Sequence, residues 1–518
     1  MNLALLKKKY RTQGIFNMRI LFTILLISVY TFGNSQSKDL EKADKLYKSF
    51  NYSKAITAYK KLLSNSENTY YSTKMIGNAL SKQNKSEEAI LWYKKCLDFT
   101  DSDAEVYLRL GQELLKLGER NEASVYFHKY YLQNNVPHQL ATVSFIEYYN
   151  ELLRDSTRYV AIPLTINTKY DEIGPAIYGD EMVFSSNRPL SGLSKRSDVQ
   201  TGKSFFNLFK VDKTSPEAQL FSKELQTKYN DGPVCFSKNL KTAYITRNTN
   251  FNTKEVNTLD VFVSRREGEE WSKDVMRLPI RKGAYTVAHA YLTRDEKFIF
   301  FSSDMPGGFG GMDLYVCEVK NGFLSQPTNL GKQVNTPGNE IFPFTDANGT
   351  LYFSSDMHPG IGGYDLFFSS LINGQYTIPF NLGYPVNSSA DDFSLVLDQS
   401  NRIGFFASNR EGGAGGDDIY ALQLIKPLSY CIIEANVYSE KDSLLLSNAH
   451  VNITDVATGV IMSVKSNNEG KFNCYLKKDK KYTFEVRREM YTEFKGVLAP
   501  EELQKYDVLK LNIGLKEK

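Results

Sequence analysis

Small and aromatic residues recur at a fixed interval of 34 along the first third of the chain. Ala55, Ala89 and Ala123 keep that spacing, as do Tyr59, Tyr93 and Phe127, and Ala43, Gly77 and Gly111. Small residues suit places where two helices cross closely, and aromatics suit the plug that the second helix drives into the next pair. A helix pair of this kind cannot cover its own apolar side and must stack on its neighbours. The interval predicts three pairs, over 38–63, 70–97 and 103–131, followed by an amphipathic capping helix over 139–153.

A second beat, of 52 to 60 residues, runs from about 170 to 425. Phe300-Phe301-Ser302-Ser303-Asp304 leads through Gly307, Gly310 and Gly311 to Asp313-Leu314-Tyr315. The pattern returns 52 residues later as Tyr352-Phe353-Ser354-Ser355-Asp356, with Gly360, Gly362 and Gly363 before Asp365-Leu366-Phe367. A third version joins Phe405-Phe406-Ala407-Ser408 through Gly412, Gly415 and Gly416 to Asp418-Ile419-Tyr420. Looser versions begin at Val183 and Ala243. Each unit reads as strand, glycine loop, strand, with Asp313, Asp365 and Asp418 expected to accept hydrogen bonds from loop amides. Ahead of each lies an apolar strand with Asn or Tyr and an acid, as in Asn339-Glu340-Ile341-Phe342-Pro343. Regular short strands with a glycine and aromatic motif in every unit predict a β-propeller of five blades, with room for a degenerate sixth between 188 and 226. Tyr159 to Asn167 is expected to supply the outer strand of the last blade and close the ring. Beyond residue 428 strands resume from Cys431 to Tyr438 and continue to Val508–Leu515, with a turn at Asn467-Asn468-Glu469-Gly470.

The 34-residue pairs resemble the tetratricopeptide family, whose stacked pairs leave a groove lined by the first helix of each pair. On that family's register Lys74, Asn78, Lys82, Gln112 and Lys116 face the groove. Lys74 and Asn78 resemble half of a carboxylate clamp, but Gln112 stands where the clamp has Asn, and a solvated polar face is the plainer reading. The glycine-loop units resemble the WD40-like (PD40) propellers of bacterial periplasmic proteins. The last module resembles the carboxypeptidase regulatory-like domain, a Greek-key β-sandwich, through Asn448-Ala449-His450-Val451, Thr458-Gly459 and Glu469-Gly470-Lys471-Phe472. The expected fold is therefore multidomain α + β: a signal peptide over 1–35, a TPR α-solenoid over 36–157, a propeller over 158–425 and a sandwich over 428–518.

Bulk properties narrow the class. A chain of 518 residues is too long for one core, and a formal charge of +4 with no dense basic stripe does not suggest nucleic-acid binding. Tyr and Phe number 33 and 32 against 2 Trp, which suits sheet surfaces. Lys7, Lys8, Lys9, Arg11 and Arg19 precede an apolar run of 13 residues from Ile20 to Phe32. That run suits the core of an export signal, with cleavage expected before Gln36. The five cysteines are scattered and in no CxxC spacing, so Cys431 and Cys474 are expected to be buried unpaired thiols.

Catalytic constellations are not evident. The five histidines form no HExxH or HxH, and GxSxG is absent. His289 and His358 fall in different blades and are candidates for lining the propeller mouth, against the plainer reading of solvated loop histidines. Asp171-Glu172 and Asp391-Asp392 occupy equivalent blade positions, which argues for architecture over catalysis. Gly412 to Asp417 matches the calcium nonapeptide once, without the tandem repetition of a true β-roll, so no metal and no cofactor are expected.

The order of helical repeats, propeller and sandwich resembles Bacteroidota envelope proteins related to the peptidoglycan-associated component of type IX secretion and gliding. Those relatives commonly continue into an OmpA-like domain that grips peptidoglycan, and none is expected after Lys518. The resemblance implies a non-enzymatic scaffold, exported to the periplasm and associated with the outer membrane. Its partners would be other envelope proteins bound through the groove and the propeller face. The alternative is a propeller that senses glycan or peptidoglycan fragments.

Overall fold

The computed structural model describes residues 38–47, 51–65, 69–83, 85–100, 103–134, 145–154, 156–190, 204–212, 215–248, 258–280, 282–283, 285–372, 374–426, 429–459 and 461–518. The expected export signal lies outside the described residues. The chain forms two compact units, Met1–Ser102 and Asp103–Lys518, so the division falls inside the helical array.

The first unit contains α1 (38–47), α2 (Tyr52–Ser64), α3 (Thr69–Ser81) and α4 (Ser86–Cys96). The 34-residue interval has a direct packing cause here. A Cβ on Gly77 would stand 2.7 Å from the Tyr93 ring, so only glycine lets α3 and α4 approach this closely. The Tyr93 hydroxyl then donates to Asn78 Oδ1 at 2.8 Å. One interval earlier Tyr59, fully buried, donates to Asp44 Oδ1 at 2.6 Å.

The second unit begins with α5 (Ala104–Lys116), α6 (Arg120–Asn134) and α7 (Phe145–Arg154). Asp103 caps α5 by accepting from the Val106 amide, and Gly111 lies under the Phe127 ring as Gly77 lies under Tyr93. Among the described residues five antiparallel sheets of three or more strands then follow in the ring region. Sheet 1 holds Glu172–Tyr178, Glu181–Ser186, Asn207–Asp212 and Ser215–Leu220; sheet 2 holds Asp231–Phe236, Thr242–Asn248 and Leu259–Glu267 with two short outer pieces. Sheet 3 holds Val287–Leu292, Phe298–Ser303 and Asp313–Lys320 with short outer pieces, and sheet 4 holds Glu340–Thr345, Leu351–Ser355, Asp365–Ser369 and Phe380–Asn381. Sheet 5 holds Asp392–Leu397, Ile403–Ser408 and Asp418–Leu424, and its outer strand is Tyr159–Pro163 from far upstream. Described residues between 188 and 226 belong to sheet 1 and to the segment that leads into sheet 2.

The first strand of each sheet lies against the first strand of the next, and that of sheet 5 lies against that of sheet 1, which makes a ring. Between the strands of four sheets, aromatic pairs fill the core, and in sheet 2 Ile245 stands opposite Phe262. Phe184 stacks on Phe209, Phe301 on Tyr315, Phe353 on Phe367 and Phe406 on Tyr420. These are the second aromatic of each repeated motif and its directly opposite partner on the next strand.

The C-terminal module stacks two sheets. In one, Tyr430–Ser439 pairs antiparallel with Lys471–Lys477 and parallel with Val508–Leu515. In the other, His450–Asp455 lies between Ile461–Lys465 and Tyr482–Arg487, and an edge strand, Phe494–Leu498, follows. That edge strand and the short helix Pro500–Leu503 were missing from the sequence-based expectation. Alternate residues Cys431, Ile433, Ala435 and Val437 enter the core with Cys474 and Phe484, and both thiols are free and buried.

Close approach between neighbouring sheets explains several of the loop glycines. A Cβ on Gly362 would stand 2.2 Å from the Ala390 carbonyl oxygen, and one on Gly310 would stand 2.3 Å from that of Thr336. Backbone sits on the far side of each contact, so no side chain can rotate away. Gly362→Ala is therefore expected to destabilise the second unit by ~2 kcal/mol, read as a lower denaturant midpoint at unchanged slope.

Candidate functional site

At the glycine-loop end of the ring each sheet repeats one polar joint. The first residue of the inner strand is an acid in four sheets, Glu172, Asp231, Glu340 and Asp392, and Val287 in the fifth. All four acids are buried, so each needs compensation. Glu172 has it from Arg188 at 2.9 Å, Asp231 from Arg247 at 2.8 Å, and Asp392 from Arg410. Arg188 and Arg410 also sit over the stacked aromatics of their own sheets, 4.9 to 5.3 Å from the ring centroids. The preceding residue makes a second tie: Asp171 pairs with Asn187 and Asp391 with Asn409. The acidic pairs that repeat in the sequence are thus structural ties between adjacent strands.

Sheet 4 departs from this rule. Met357 stands where sheets 1 and 5 carry arginine, and among the described residues no basic side chain pairs with Glu340. Its carboxyl accepts from the Thr336 amide and hydroxyl and from Ser355. Burial, aided by the neighbouring Asp356, pushes its pKa up to about 8 against those hydrogen bonds. Asp356 in turn is held by Asn339 and by Arg109 of α5, whose Nη1 stands 3.1 Å from Asp356 Oδ2. The Gln112 side chain donates to the Asp356 backbone carbonyl. Lys116 lies along Gly363 and pairs with Glu113 at 3.2 Å. Burial works against its ammonium, but the carboxylates of Asp391 and Glu113 prevail and raise its pKa.

These contacts correct the expected groove. Gln112 and Lys116 are committed to the ring of their own unit and do not line an open groove. The remaining candidates sit on α3 and just past its end in the first unit, where Lys82 is exposed, Lys74 is half-buried, and Asn78 accepts from Tyr93. Trp92 on α4 carries Lys95 over its face at 4.2 Å and Lys60 at 5.6 Å. The loop aspartates Asp313, Asp365 and Asp418 each accept from two loop amides, at 2.6 and 3.1 Å in the first two cases. Asp304 accepts from the Thr286 amide.

Opposite the glycine loops, the inner strands surround a channel with a cavity of about 820 Å³. Every inner strand carries a β-bulge at the same level. Three of the bulge residues, His289, Phe342 and Ser394, have φ of +53°, +52° and +58°, and Gly174 has +61° in sheet 1. The His289 ring stacks on Phe342 with centroids 3.9 Å apart, and Phe342 meets Phe393 at 5.5 Å. His289 thus lines the channel, and burial lowers its pKa to about 3. His358 does not line it; its ring packs against Phe353 and Phe367, and Nε2 meets the Val334 carbonyl at 2.8 Å. Neither is the solvated loop histidine that the sequence suggested. The bulges gave no sequence signal beyond a proline or glycine at some of the positions.

With the geometry in place, a tetratricopeptide-repeat family profile matches residues 75–102. The chain therefore contains a tetratricopeptide repeat. No curated protein sequence matches it. Among solved structures it is similar to a thermostable family-43 glycoside hydrolase, at 11% identity over 51% of this chain and 96% of that one, with a TM-score of 0.34. An endo-arabinase from Bacteroides thetaiotaomicron aligns at 10% identity over 51% and 97%, with a TM-score of 0.32. A gluconolactonase from Xanthomonas campestris aligns at 12% over 51% and 89%, with 0.31. Likenesses this distant do not say what this chain does.

Glu340 offers a titration with a definite sign. Its folded pKa lies above the ordinary carboxylate value, so its contribution is complete below about pH 4 and is lost as pH rises through about 8. Wild type should therefore lose stability relative to Glu340→Gln by up to about 1.4 kcal/mol per pH unit across that window, and by nothing further above it. Urea unfolding of both proteins at pH 5, 7 and 9 checks the slope.

Proposed function

We propose that this chain is a non-enzymatic protein-binding scaffold of the bacterial cell envelope, an accessory of an outer-membrane or type IX secretion complex. The observation that carries the reading is the division of labour among the helix pairs. The third pair is bound to its own ring through Arg109 and Gln112, whereas the matched repeat on α3 and α4 presents the exposed Lys82 and the lysine-flanked Trp92. Tetratricopeptide repeats generally mediate protein–protein contacts, and an aromatic ring beside cations suits an acidic or carboxylate-bearing partner segment. On this reading residues 1–35 direct export, 158–425 form a five-bladed PD40-type propeller, and 428–518 form a Greek-key regulatory-like domain. A second reading, a propeller that senses a small glycan or peptidoglycan fragment, is favoured by the 820 Å³ channel.

Affinity purification of the tagged full chain from envelope fractions tests the scaffold. A specific envelope partner is expected, and its recovery should fall roughly tenfold when Lys74→Glu and Lys82→Glu are combined, because reversed charge repels an acidic segment. Recovery of no envelope protein above background, or recovery indifferent to the double substitution, would refute it. Soluble peptidoglycan fragments that raise the melting temperature would favour the sensor instead.

A further inference from the structure

We propose that the face of α5 carrying Arg109, Gln112 and Lys116 is a carboxylate-binding site held shut by Asp356 of the ring. An acidic partner segment opens it by taking the place of that residue. The inference rests on the scaffold reading for its partner and adds to it a second, self-occupied site inside the ring unit.

The occupant present in the structure defines the chemistry. Arg109 Nη1 stands 3.1 Å from Asp356 Oδ2, and the Gln112 side chain donates to the backbone carbonyl of the same residue. One acidic residue is thus gripped by its carboxylate and by its main chain. Spacings of three and four residues put Arg109, Gln112 and Lys116 on one side of the helix. Lys116 lies along Gly363, further down the same loop, and pairs with Glu113 at 3.2 Å. Gln112 and Lys116 also stand 34 residues after Asn78 and Lys82. On the third helix pair the ring therefore fills positions at which the preceding repeat leaves Lys82 exposed.

The ring joint does not itself need a charge at 356. Asn187, Asn248 and Asn409 hold the equivalent place in sheets 1, 2 and 5. Their side-chain oxygens accept from the amides of Asp171, Asn230 and Asp391. Asp356 Oδ1 accepts in the same way from the Asn339 amide at 2.7 Å. Asp304 does so in sheet 3, from an exposed position. What the carboxylate adds in sheet 4 is its bond to α5.

Exchange of one acid for another is easy in this arrangement. Breaking a partly buried ion pair is costly when it strands a charge, but trading one carboxylate for another strands none. Released Asp356 keeps two hydrogen bonds from Asn339, and Arg109 keeps Glu105 at 3.4 Å throughout. Packing of α5 against its own pair is unaffected, since Gly111 lies under Phe127 of α6. Tethering holds the site shut, because it gives Asp356 an effective concentration on the order of millimolar.

Fluorescence anisotropy of a labelled hexapeptide alternating serine and aspartate, added to the full chain, tests the proposal. All variants carry Lys74→Glu and Lys82→Glu, so that the site on α3 does not contribute. Asp356→Asn recreates the Asn230–Asn248 arrangement of sheet 2 and should tighten peptide binding about tenfold. Adding Arg109→Gln should return the affinity to its starting level, and a serine–asparagine peptide should bind none of these proteins. Melting curves check that the ring is intact. Hydrogen exchange gives a readout that needs no substitution: excess acidic peptide should speed exchange across 356–364 in the wild-type chain. Unchanged affinity on Asp356→Asn, a gain that survives Arg109→Gln, or a 356–364 segment indifferent to excess peptide would each overturn the assignment. Recovery of no envelope partner would sink the scaffold reading alone, since the peptide measurement needs no native partner.

Discussion

The second unit depends on one pairing made across the whole ring. Tyr159–Pro163 enters before any of the five sheets has been built, yet it hydrogen-bonds to Asp418–Leu424, the last strand of the fifth. Without it sheet 5 ends in an open edge, and unpaired strand edges are both costly and prone to wrong partners. The closure extends past the strand itself. Asn167 exchanges two hydrogen bonds with the Ile419 backbone, at 2.9 Å each, as Asn335 does with Leu314 and Asn387 with Leu366. The upstream segment thus supplies to sheet 5 a joint that sheets 3 and 4 make locally. A ring closed this way must form from both ends of the segment at once, so its stability is cooperative over more than 250 residues of sequence separation.

Given closure, the neighbouring sheets are pressed close enough that the loops between strands have little freedom. The aspartates that open the third strands bind loop amides, and the next sheet's backbone fills the space a loop side chain would need. The inner-strand acids are buried by the same compression. Three are neutralised by arginines of their own sheets, and where Val287 replaces the acid no arginine is found either, since Met305 takes its place. Sheet 4 alone keeps the acid without the arginine. There the cation comes from outside the ring, from Arg109 of α5 onto the adjacent Asp356. The helices are thereby tied to one particular sheet. Glu151 of α7 extends the tie by pairing with Lys477 and Lys480 of the C-terminal module. A ring of near-equivalent sheets thus acquires a defined side, on which helices and sandwich both dock.

What the sequence made legible is what repeats. The Gly77–Tyr93 and Gly111–Phe127 contacts lie within one interval, so the spacing alone locates them. The stacked Phe301–Tyr315 and Phe353–Phe367 pairs are likewise implied by matching motifs. The fate of Gln112 and Lys116 was not legible, because their partners Asp356 and Gly363 lie more than 240 residues away and only the closed ring brings them near. For His289 the sequence left two places open, the propeller mouth and a solvated loop, and could not choose between them. Its position depends on a bulge, and a bulge arises from how two strands pair and twist, which one strand's residue types do not specify.

Symmetry also separates structure from recognition in this molecule. Features that recur in several sheets, such as the loop aspartates and the acid–amide ties, are explained by the joint they make. The first serine of the repeated pair is instructive: Ser185, Ser302 and Ser354 have unpartnered hydroxyls, and Ala407 fills the same place in sheet 5. Small size is what that position requires, since Ser185 lies directly against Gly232 of the next sheet. Its orphaned oxygens are therefore by-products of packing. The inner-strand bulge differs in kind, because Gly174, Pro233, His289, Phe342 and Ser394 are five different residues at one position. Four of them take a left-handed φ and proline cannot, so the ring accepts more than one backbone and more than one side chain at that level.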